Sequence, residues 1–477
     1  MLLSIFAAAR AAPDRIALVT AAGSYSYAEL AALTQGRALS LAGCTGPILL
    51  QPRLDLDSLL WIYAAAATGT PFVALSPGAT TRERDAAQAL TRACEPPALV
   101  ERHRPLSHWP LPFVEPPIDP QRPFALVLTS GSTAPAKVVV LSRRAVLASA
   151  MASAANLSVD PEERWLLCLT LAHVGGLSIL VRMLAARRLV VLFDPGEAGL
   201  LARAPQLAHC LHTQQVTLVS LVPPVLERLL DAQFTAPPSL RAVLLGGAGC
   251  SPTLARRAWA AGIPLVTSYG LTETGSQVVA RRYTERLLPL PERDGRVSAG
   301  HPLEGTEIKL VGERIAVKTS ALFTEYRGGA TTAVDGNGWF LTHDRGFFGP
   351  NGELYVLGRT DLLLVTGGEK VDPEEVERAL CELPEIQDAC VFGLPCAEFG
   401  QRVAAVAVAA PGASGVDLAW ITSRLGATLA RFKHPRELVF ADSLPRTAAG
   451  KLDRRGCAES FAYVLKRTER EPTPRLA

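Results

Sequence analysis

The stretch LVLTSGSTAPAK, residues 126–137, joins an apolar run to a polar loop and ends on a lysine. Because residues 124–129 form a short apolar run, they predict a buried strand. Residues 129–133 are small and mostly hydroxylated, so their N–H and O–H groups can hold a polyanion, and Lys137 adds a positive charge. The pattern is not a Walker P-loop, because residues 138–141 are β-branched or apolar and predict a strand where that motif requires a helix. For the loop alone, a plain polar hairpin between two core strands is an equally open interpretation.

Helix and strand patterns alternate on both sides of this loop. Helices are predicted over residues 27–39, 55–68, 80–91 and 142–156, and strands over residues 46–51, 71–75, 165–170, 190–193, 217–222, 242–245 and 264–267. This alternation predicts an α/β domain with parallel-rich sheets, followed by a β-rich region. Ligands on such sheets bind at the carboxyl ends of the strands, where the polar and glycine-rich loops lie.

Several of these strand ends carry side chains suited to nucleotide chemistry. Tyr269 could stack on a planar base, and Glu273 could hold a hard cation through oxygen. Asp344 could accept two ribose hydroxyls, although an aspartate that ends a strand and opens a turn is as plausible locally. His173 precedes two glycines, and a residue that begins a helix is the more common interpretation of that position.

A smaller α+β domain of about a hundred residues follows. Gly367 and Gly368 precede Asp372, which has the chemistry of a helix N-cap with proline at the first helical position. The two glycines would let the backbone approach a ligand closely. Lys451 lies beyond a glycine-containing turn, and residues from about 458 are predicted to form a flexible tail.

Composition excludes several classes of protein. The chain has 477 residues, 48% of them hydrophobic, and a net charge of +3, which does not indicate nucleic-acid or membrane binding. Its nine cysteines form no C-x-x-C pair, so neither a zinc site nor a thioredoxin motif is indicated. No apolar run approaches the roughly 20 residues of a spanning helix. A cytoplasmic protein with reduced thiols is expected, and a homo-oligomer is left open.

Five segments, taken together, resemble the adenylate-forming acyl-CoA synthetases. They occur in the family's order and spacing: TSGST with Lys137, YGLTET (269–274), WFLTHD (339–344), GRTD with GGEKVDPEEVE (358–377) and PRTAAGK (445–451). Within the family, HVGGLS (173–178) and TETGSQ (272–277) are most similar to the o-succinylbenzoate–CoA ligases of menaquinone synthesis. The resemblance covers nearly the whole chain.

The resemblance implies a large adenylate-forming domain over residues 1–360 and a small mobile domain over residues 361–477. It implies ATP, Mg²⁺ and coenzyme A as cofactor and co-substrates, and a small carboxylic acid as the partner. The residues implied for ATP or AMP binding are Thr129, Ser130, Gly131, Ser132, Thr133, Lys137, Gly246, Gly247, Ala248, Ser268, Tyr269, Gly270, Asp344 and Arg359.

The remaining roles also follow from the resemblance. Lys451, Thr272, Glu273 and His173 are implied as catalytic, with Glu273 the Mg²⁺ ligand. Asp361 is implied as the hinge, Gly367 and Gly368 as the coenzyme A site, and His173, Gly275 and Ser276 as the acyl pocket. Ala134, His343 and Leu362 differ from the family's usual residues, but none of them removes a reacting group.

Two alternatives stay open on the sequence. The first is an adenylating enzyme that loads another aryl or acyl group onto coenzyme A, or that transfers its acyl group to a carrier-protein thiol or to an amine. The second is a non-catalytic, nucleotide-binding regulator, for which Ala134 and His343 are the only support.

Overall fold

The computed structural model describes residues 3–98, 114–129, 137–328, 334–396, 399–413, 415–426, 428–447 and 452–468. These residues form two compact units, each described by itself below. The large unit comprises Met1–Thr342 and Gly346–Val356, and the small unit comprises His343–Arg345 and Leu357–Ala477. No helix among the described residues is long and apolar enough to cross a bilayer.

The α-helices are numbered in chain order. They are α1 Ile5–Ala11, α2 Tyr27–Leu41, α3 Leu56–Thr68, α4 Thr81–Thr91, α5 Arg143–Leu157, α6 Val174–Ala186, α7 Gly199–Ala202, α8 Ala204–Thr213, α9 Pro223–Asp231, α10 Pro252–Ala260, α11 Pro373–Cys381, α12 Leu418–Leu425 and α13 Arg454–Thr468.

The strands follow the same convention. They are β1 Ile16–Thr20, β2 Gly23–Ser26, β3 Ile48–Leu50, β4 Phe72–Ala74, β5 Pro123–Thr129, β6 Lys137–Ser142, β7 Arg164–Leu167, β8 Leu189–Leu192, β9 Leu218–Leu221, β10 Ala242–Leu245, β11 Leu265–Leu271, β12 Ser276–Ala280, β13 Glu292–Arg293, β14 Arg296–Val297, β15 His301–Pro302, β16 Thr306–Val311, β17 Arg314–Thr319, β18 Glu325–Arg327, β19 Phe340–Phe348, β20 Leu354–Arg359, β21 Leu364–Thr366, β22 Glu369–Val371, β23 Ile386–Cys396, β24 Gly400–Ala409 and β25 Glu437–Phe440.

Helix ends in the large unit follow from local chemistry. The Ser142 hydroxyl accepts a hydrogen bond from the Ala145 N–H at 3.1 Å, so α5 begins where the sequence predicted its cap. The Asp55 carboxylate caps α3 in the same way. Gly69 ends α3 in the left-handed conformation at φ +71°, which glycine adopts without a steric penalty.

Two large sheets organise the large unit. The first has nine strands in the order β15-β12-β11-β10-β9-β7-β8-β1-β2, and its strands from β11 to β1 are parallel. The second has the order β18-β6-β5-β4-β3, with β3, β4 and β5 parallel. The predicted α/β class with parallel-rich sheets is therefore confirmed.

The carboxyl ends of the parallel strands bring the predicted loops to one edge of the nine-stranded sheet. The segment to His173 follows β7, Gly246 follows β10, and the 3₁₀ turn Thr272–Thr274 follows β11. The core behind this edge contains fully buried side chains of both sheets and their helices, among them Trp165 and Phe124. The edge is therefore supported by rigid packing.

A four-stranded sheet, β16-β17-β19-β20, forms the β-rich part that the sequence predicted. The chain passes between the two units inside β19 and inside β20. Asp344 lies in the middle of β19, so the prediction that a strand ends there is wrong. The strand continues because Gly346 has no Cβ, and one built there would lie 2.6 Å from the Tyr355 carbonyl oxygen.

The small unit is an α+β domain around the sheet β22-β21-β24-β23, to which β25 pairs in parallel. Asp372 caps α11 by accepting the Glu374 N–H at 3.0 Å, as its sequence predicted. The predicted flexible tail from about residue 458 is wrong for its first part, because α13 extends to Thr468. Cys457 and Phe461 of that helix are buried in an apolar cluster with Phe392.

Candidate active site

The predicted phosphate loop lies largely outside the described residues. Ser130, Gly131, Ser132 and Thr133 are not described, nor are Ala134 and the side chain of Thr129. Its two ends are described, because β5 and β6 pair antiparallel with Thr129 opposite Lys137. The loop is therefore closed at its base by strand pairing, with Lys137 at one end.

The turn after β11 holds Thr272 and Glu273 in place. The Thr274 hydroxyl accepts the Leu271 N–H at 3.0 Å and donates to the Ser276 carbonyl oxygen at 2.7 Å. Gly275 reverses the chain at φ +64°. Because Thr274 takes up the local hydrogen bonds and is fully buried, Thr272 and Glu273 remain half-buried at the sheet edge.

Lys137 and Glu273 are brought together by a third side chain, Tyr326. The Tyr326 hydroxyl donates to Glu273 Oε1 at 2.7 Å. The Lys137 ammonium lies over the Tyr326 ring, with Nζ 5.5 Å from the ring centroid, within the range of a cation–π contact. The large unit thus places a cation and a carboxylate around one aromatic ring.

The residues predicted to flank adenine follow β10 and β11. A Cβ at Gly246 would lie 2.8 Å from Ser268 Oγ, and Gly247 has φ +83°, so both glycines have conformational or packing reasons to be there. Ala248 is exposed, and Tyr269 is half-buried beside the apolar cluster of the β-rich part.

Gly270 has a different local cause. The β11–β12 pairing shifts register between Tyr269 and Gly270, and a Cβ at Gly270 would lie 2.2 Å from the Ser276 carbonyl oxygen. The close approach of the two strands at this bulge therefore requires glycine.

His173 is the N-cap residue of α6, and its side chain makes no capping hydrogen bond. Gly176, in the first turn, lies so close to the preceding segment that a Cβ would be 2.3 Å from the Thr170 carbonyl oxygen. The histidine therefore begins a helix, as the commoner interpretation predicted, at the same sheet edge as the other candidate residues.

The side chains of α6 reach the predicted acyl pocket. Ser276 Oγ accepts a hydrogen bond from Arg182 Nη2 at 3.0 Å and lies 3.4 Å from Ser178 Oγ. A small cavity beside these residues is bounded by five apolar side chains together with Ser178 and Gly275; the apolar ones are Leu141, Val146, Val174, Leu177 and Val181. The pocket is therefore apolar, with polar groups at one side.

Arg182 is buried and carries a charge without a carboxylate partner among the described residues. Its side chain packs over Trp165, with the guanidinium carbon 5.3 Å from the ring centroid, and its Nε–H has no acceptor there. Burial disfavours the cation and lowers the pKa of Arg182 to about 9, so the guanidinium stays protonated at neutral pH. A buried, incompletely bonded cation of this kind is suited to an anionic ligand.

In the small unit, Arg359 connects two of the predicted residues. It contacts Asp344 at 3.4 Å and forms two hydrogen bonds with Asp361, of 2.7 and 2.8 Å. Burial alone would raise the pKa of Asp361, but the Arg359 guanidinium holds that pKa below its usual range. The predicted ribose residues and the predicted hinge residue thus form one ionic group.

Gly367 and Gly368 form the two-residue turn of the β21–β22 hairpin. Their φ values are +59° and +86°, the conformation of a type I′ turn, which explains both glycines without a ligand. Lys451 lies outside the described residues.

The segment that carries Lys451 is anchored at both ends. Arg446 and Leu452 form a β-bridge, and Arg446 pairs with Asp388 at 2.5 Å. On the far side, Arg454 donates to Glu377 at 2.6 Å.

Two residues that the sequence reasoning missed belong to these arrangements. Tyr326 reaches Glu273 across 53 positions of sequence, through the pairing of β18 with β6 and the hydrogen bond from the Phe323 N–H to the Glu273 carbonyl oxygen. Arg182 interrupts the apolar run ILVRML, and a single arginine on a buried helix was a signal that could have been used.

Two family models and several known proteins are similar to this chain. The model of the AMP-binding enzyme family matches residues 73–318, and that of the AMP-binding enzyme C-terminal domain matches residues 375–451. A 2-succinylbenzoate–CoA ligase of Bacillus licheniformis is 31% identical over 93% of this chain and 96% of its own.

Solved structures are similar over nearly the whole chain. The o-succinylbenzoate CoA synthetase of Bacillus subtilis bound to its acyl-adenylate intermediate is 27% identical, has a TM-score of 0.81, and is matched over 95% of this chain and 97% of that one. The same synthetase bound to ATP and magnesium is 28% identical with a TM-score of 0.79, over 94% and 98% of the two chains.

Proposed function

Because this chain belongs to the AMP-binding enzymes, we propose that it is an ATP-dependent, AMP-forming acid–thiol ligase that joins 2-succinylbenzoate to coenzyme A in menaquinone synthesis. A relative named 2-succinylbenzoate–CoA ligase aligns with most of this chain. The resemblance drawn from the sequence motifs is thereby confirmed.

The reaction has two steps. A carboxylate oxygen of the acid attacks the α-phosphorus of ATP, an acyl–phosphate bond forms, and pyrophosphate leaves. The coenzyme A thiolate then attacks the acyl carbon, a thioester bond forms, and AMP leaves with the electrons of the broken C–O bond. Because the first step brings two anions together, positive charge must offset their repulsion and stabilise the developing charge on phosphorus.

The large unit would hold the triphosphate. Lys137 and the loop from Thr129 to Thr133 would bind the β- and γ-phosphates, and Thr272 the α-phosphate. Tyr269 and the segment from Gly246 to Ala248 would flank adenine, with Ser268 and Gly270 on the same strand.

Mg²⁺ fits the donor set of the large unit. Among the described residues no group of three histidine, cysteine, aspartate or glutamate side chains could hold a metal by itself. Mg²⁺ is usually bound by one or two carboxylates together with substrate phosphates, so the single carboxylate of Glu273 is sufficient. Bound there, the ion would neutralise phosphate charge.

The small unit would supply the remaining groups. Asp344 and Arg359 would bind the ribose hydroxyls, and Lys451 would bridge the attacking carboxylate and the α-phosphate. We propose that Asp361 is the hinge about which this domain reorients between the two steps. Gly367 and Gly368 would then border coenzyme A. In the large unit, His173 would lie at the acyl pocket beside Gly275 and Ser276.

The identity of the acid is supported chiefly by Arg182. 2-Succinylbenzoate carries two carboxylates: the succinyl group reacts, and the ring carboxylate keeps its charge. A buried guanidinium that hydrogen-bonds Ser276 and lacks a carboxylate partner among the described residues suits that second anion.

The test pairs a substrate change with a protein change. AMP release, dependent on acid and measured with coenzyme A present, is compared for 2-succinylbenzoate and for 3-benzoylpropanoate, which lacks the ring carboxylate. Since a hydrogen bond to a charged group contributes about 1.5–3 kcal/mol, wild type is expected to favour the diacid roughly 10- to 150-fold in kcat/KM. Arg182→Met should remove most of that preference, whereas Arg187→Met, an exposed arginine that follows the same helix, should keep it. Release of ADP, or AMP release independent of any acid, would refute the proposed function.

We also propose that the protein works in the cytoplasm. No disulfide links any of the nine cysteines, all of which lie in the described part of the chain, and two of them are exposed, which suits a reducing environment such as the cytoplasm.

A further inference from the structure

Tyr326 occupies a defined position between two residues of the proposed ATP site. It lies on β18, which pairs antiparallel with β6 so that Tyr326 faces Val139. Side chains alternate along a strand, so Val139 and Lys137 share a face, and Lys137 is the diagonal neighbour of Tyr326. The register of one strand pair therefore brings the ring beneath the Lys137 ammonium.

The other side of Tyr326 is held against Glu273. The Glu273 carbonyl oxygen accepts the Phe323 N–H at 2.8 Å, and the rings of Phe323 and Tyr326 pack with centroids 4.5 Å apart. These contacts fix the backbone of Glu273 relative to the segment that carries Tyr326. The Tyr326 hydroxyl then donates a hydrogen bond of 2.7 Å to one carboxylate oxygen of Glu273, Oε1.

We propose that Tyr326 is a positioning residue for the ATP–Mg²⁺ complex, an inference that rests on the proposed function. By donating to Oε1, the phenol fixes the carboxylate rotamer and leaves Oε2 to face the cation. By its ring, it holds the Lys137 ammonium toward the phosphates. One side chain therefore sets the spacing between the two groups of opposite charge that must contact the same triphosphate.

The physical basis is the role of outer groups around a metal ligand. Hydrogen bonds to a ligating carboxylate restrict its rotation, and removing them typically lowers metal affinity or activity 10- to 100-fold. The ring contributes separately, since a Lys side chain loses rotamer freedom on binding phosphate and a cation–π contact reduces that loss.

Two variants separate the hydroxyl from the ring. Tyr326→Phe keeps the ring below Lys137 and removes only the donor to Glu273. Tyr326→Leu removes both. Tyr355→Phe is the matched control, because Tyr355 also donates to a glutamate, Glu353 Oε1 at 3.3 Å, within the β-rich part of the large unit.

The first readout is binding. By calorimetry with α,β-methylene-ATP, Tyr326→Phe should weaken binding 10- to 100-fold when Mg²⁺ is present and less than threefold when it is absent. Tyr326→Leu should weaken binding in both conditions, because the Lys137 contact is lost as well. Tyr355→Phe should match wild type in both.

The second readout is kinetic. In Tyr326→Phe, the Mg²⁺ concentration for half-maximal AMP release should rise about tenfold or more, with the KM for the acid unchanged and thioester formation from supplied acyl-AMP unchanged. An unaltered Mg²⁺ dependence in both readouts, with a wild-type enzyme that releases AMP, would overturn this inference alone. A wild-type protein that releases no AMP with any acid would instead overturn the proposed function.

Discussion

Replacing Gly176 by alanine tests whether close packing at the start of α6 sets the position of the acyl pocket. The new Cβ would lie 2.3 Å from the Thr170 carbonyl oxygen and 2.4 Å from that of Leu169. Both atoms belong to the backbone, so neither can rotate away, and the helix start or the end of the preceding segment must move by roughly 1 Å to restore a normal contact.

The neighbouring residue supplies the matched control. A Cβ at Gly175 meets only Leu169 Cδ1, at 3.5 Å, an ordinary contact with a flexible side chain. Each substitution gains about 1 kcal/mol of helix propensity. Overpacking at Gly176 costs roughly 3 kcal/mol, the upper end of the usual range because backbone must shift. We therefore expect Gly176→Ala to be destabilised by about 2 kcal/mol and Gly175→Ala to be stabilised by up to about 1 kcal/mol.

The assay is urea denaturation of wild type and both variants, followed by the KM for the acid. Because α6 also carries Ser178 and Arg182, a displaced helix should raise the KM of Gly176→Ala severalfold. Equal denaturation midpoints for the two variants would refute the reasoning, since they would mean that the 2.3 Å approach is not enforced by the fold.

Three further predictions concern other parts of the chain. Gly246→Ala puts a Cβ 2.8 Å from Ser268 Oγ, which can rotate away only by giving up its hydrogen bond to the Leu245 carbonyl oxygen, so calorimetry should show AMP binding weakened severalfold and urea denaturation should show a loss of about 1 kcal/mol. Arg454→Met removes the cationic partner of the buried Glu377, whose pKa burial raises to about 8, so that carboxyl will protonate and urea denaturation should show a loss of about 1–3 kcal/mol, part of which Glu377→Gln restores in the same background. The ion pair with Arg359 lowers the pKa of Asp361 in the folded protein, so its stabilisation is present above the ordinary carboxyl pKa and is lost as pH falls through the lowered value. Carbon NMR of the Asp361 carboxyl should therefore show a titration midpoint below about 3.9. A midpoint at or above that value would contradict the ion pair.

Much of the fold could be predicted because it depends on local chemistry. Asp372 and Ser142 cap helices wherever their side chains can reach the next N–H groups, and a glycine ends α3 at positive φ. Short apolar runs also formed the buried parallel strands, as their local sequence pattern predicted. These signals act over three or four residues, so no tertiary information was needed.

The errors arose where tertiary contacts override local pattern. Residues from about 458 were predicted to form a flexible tail, but Cys457 and Phe461 bury one face of α13. The aspartate in WFLTHD looked like a strand end, yet Asp344 lies in mid-strand and is paired with Arg359. Because Arg359 pairs with the Asp344 carboxylate, that carboxylate can stay buried in mid-strand without a turn that would expose it to water.

The same distinction applies to the candidate site. Motif spacing identified Glu273 and Lys137 but not the side chain between them, because Tyr326 reaches them through strand register. Arg182 was missed because an arginine inside an apolar helix reads as an interruption until its surroundings are known. Residues that act through long-range pairing carry no local signature.

The crossing of the chain between its two units inside β19 and β20 constrains how such proteins can recombine. Residues His343–Arg345 belong to the small unit although they precede 11 residues of the large one, Gly346–Val356. Within the small unit, Arg345 pairs with Asp372 at 2.5 Å and Asp344 with Arg359 at 3.4 Å. A graft that exchanges only the C-terminal segment at residue 357 would therefore inherit two charges from one parent and their counter-ions from the other. Hybrid enzymes should tolerate a junction ahead of residue 343 better than one after it, and gene fusion or exchange in nature faces the same topological restriction.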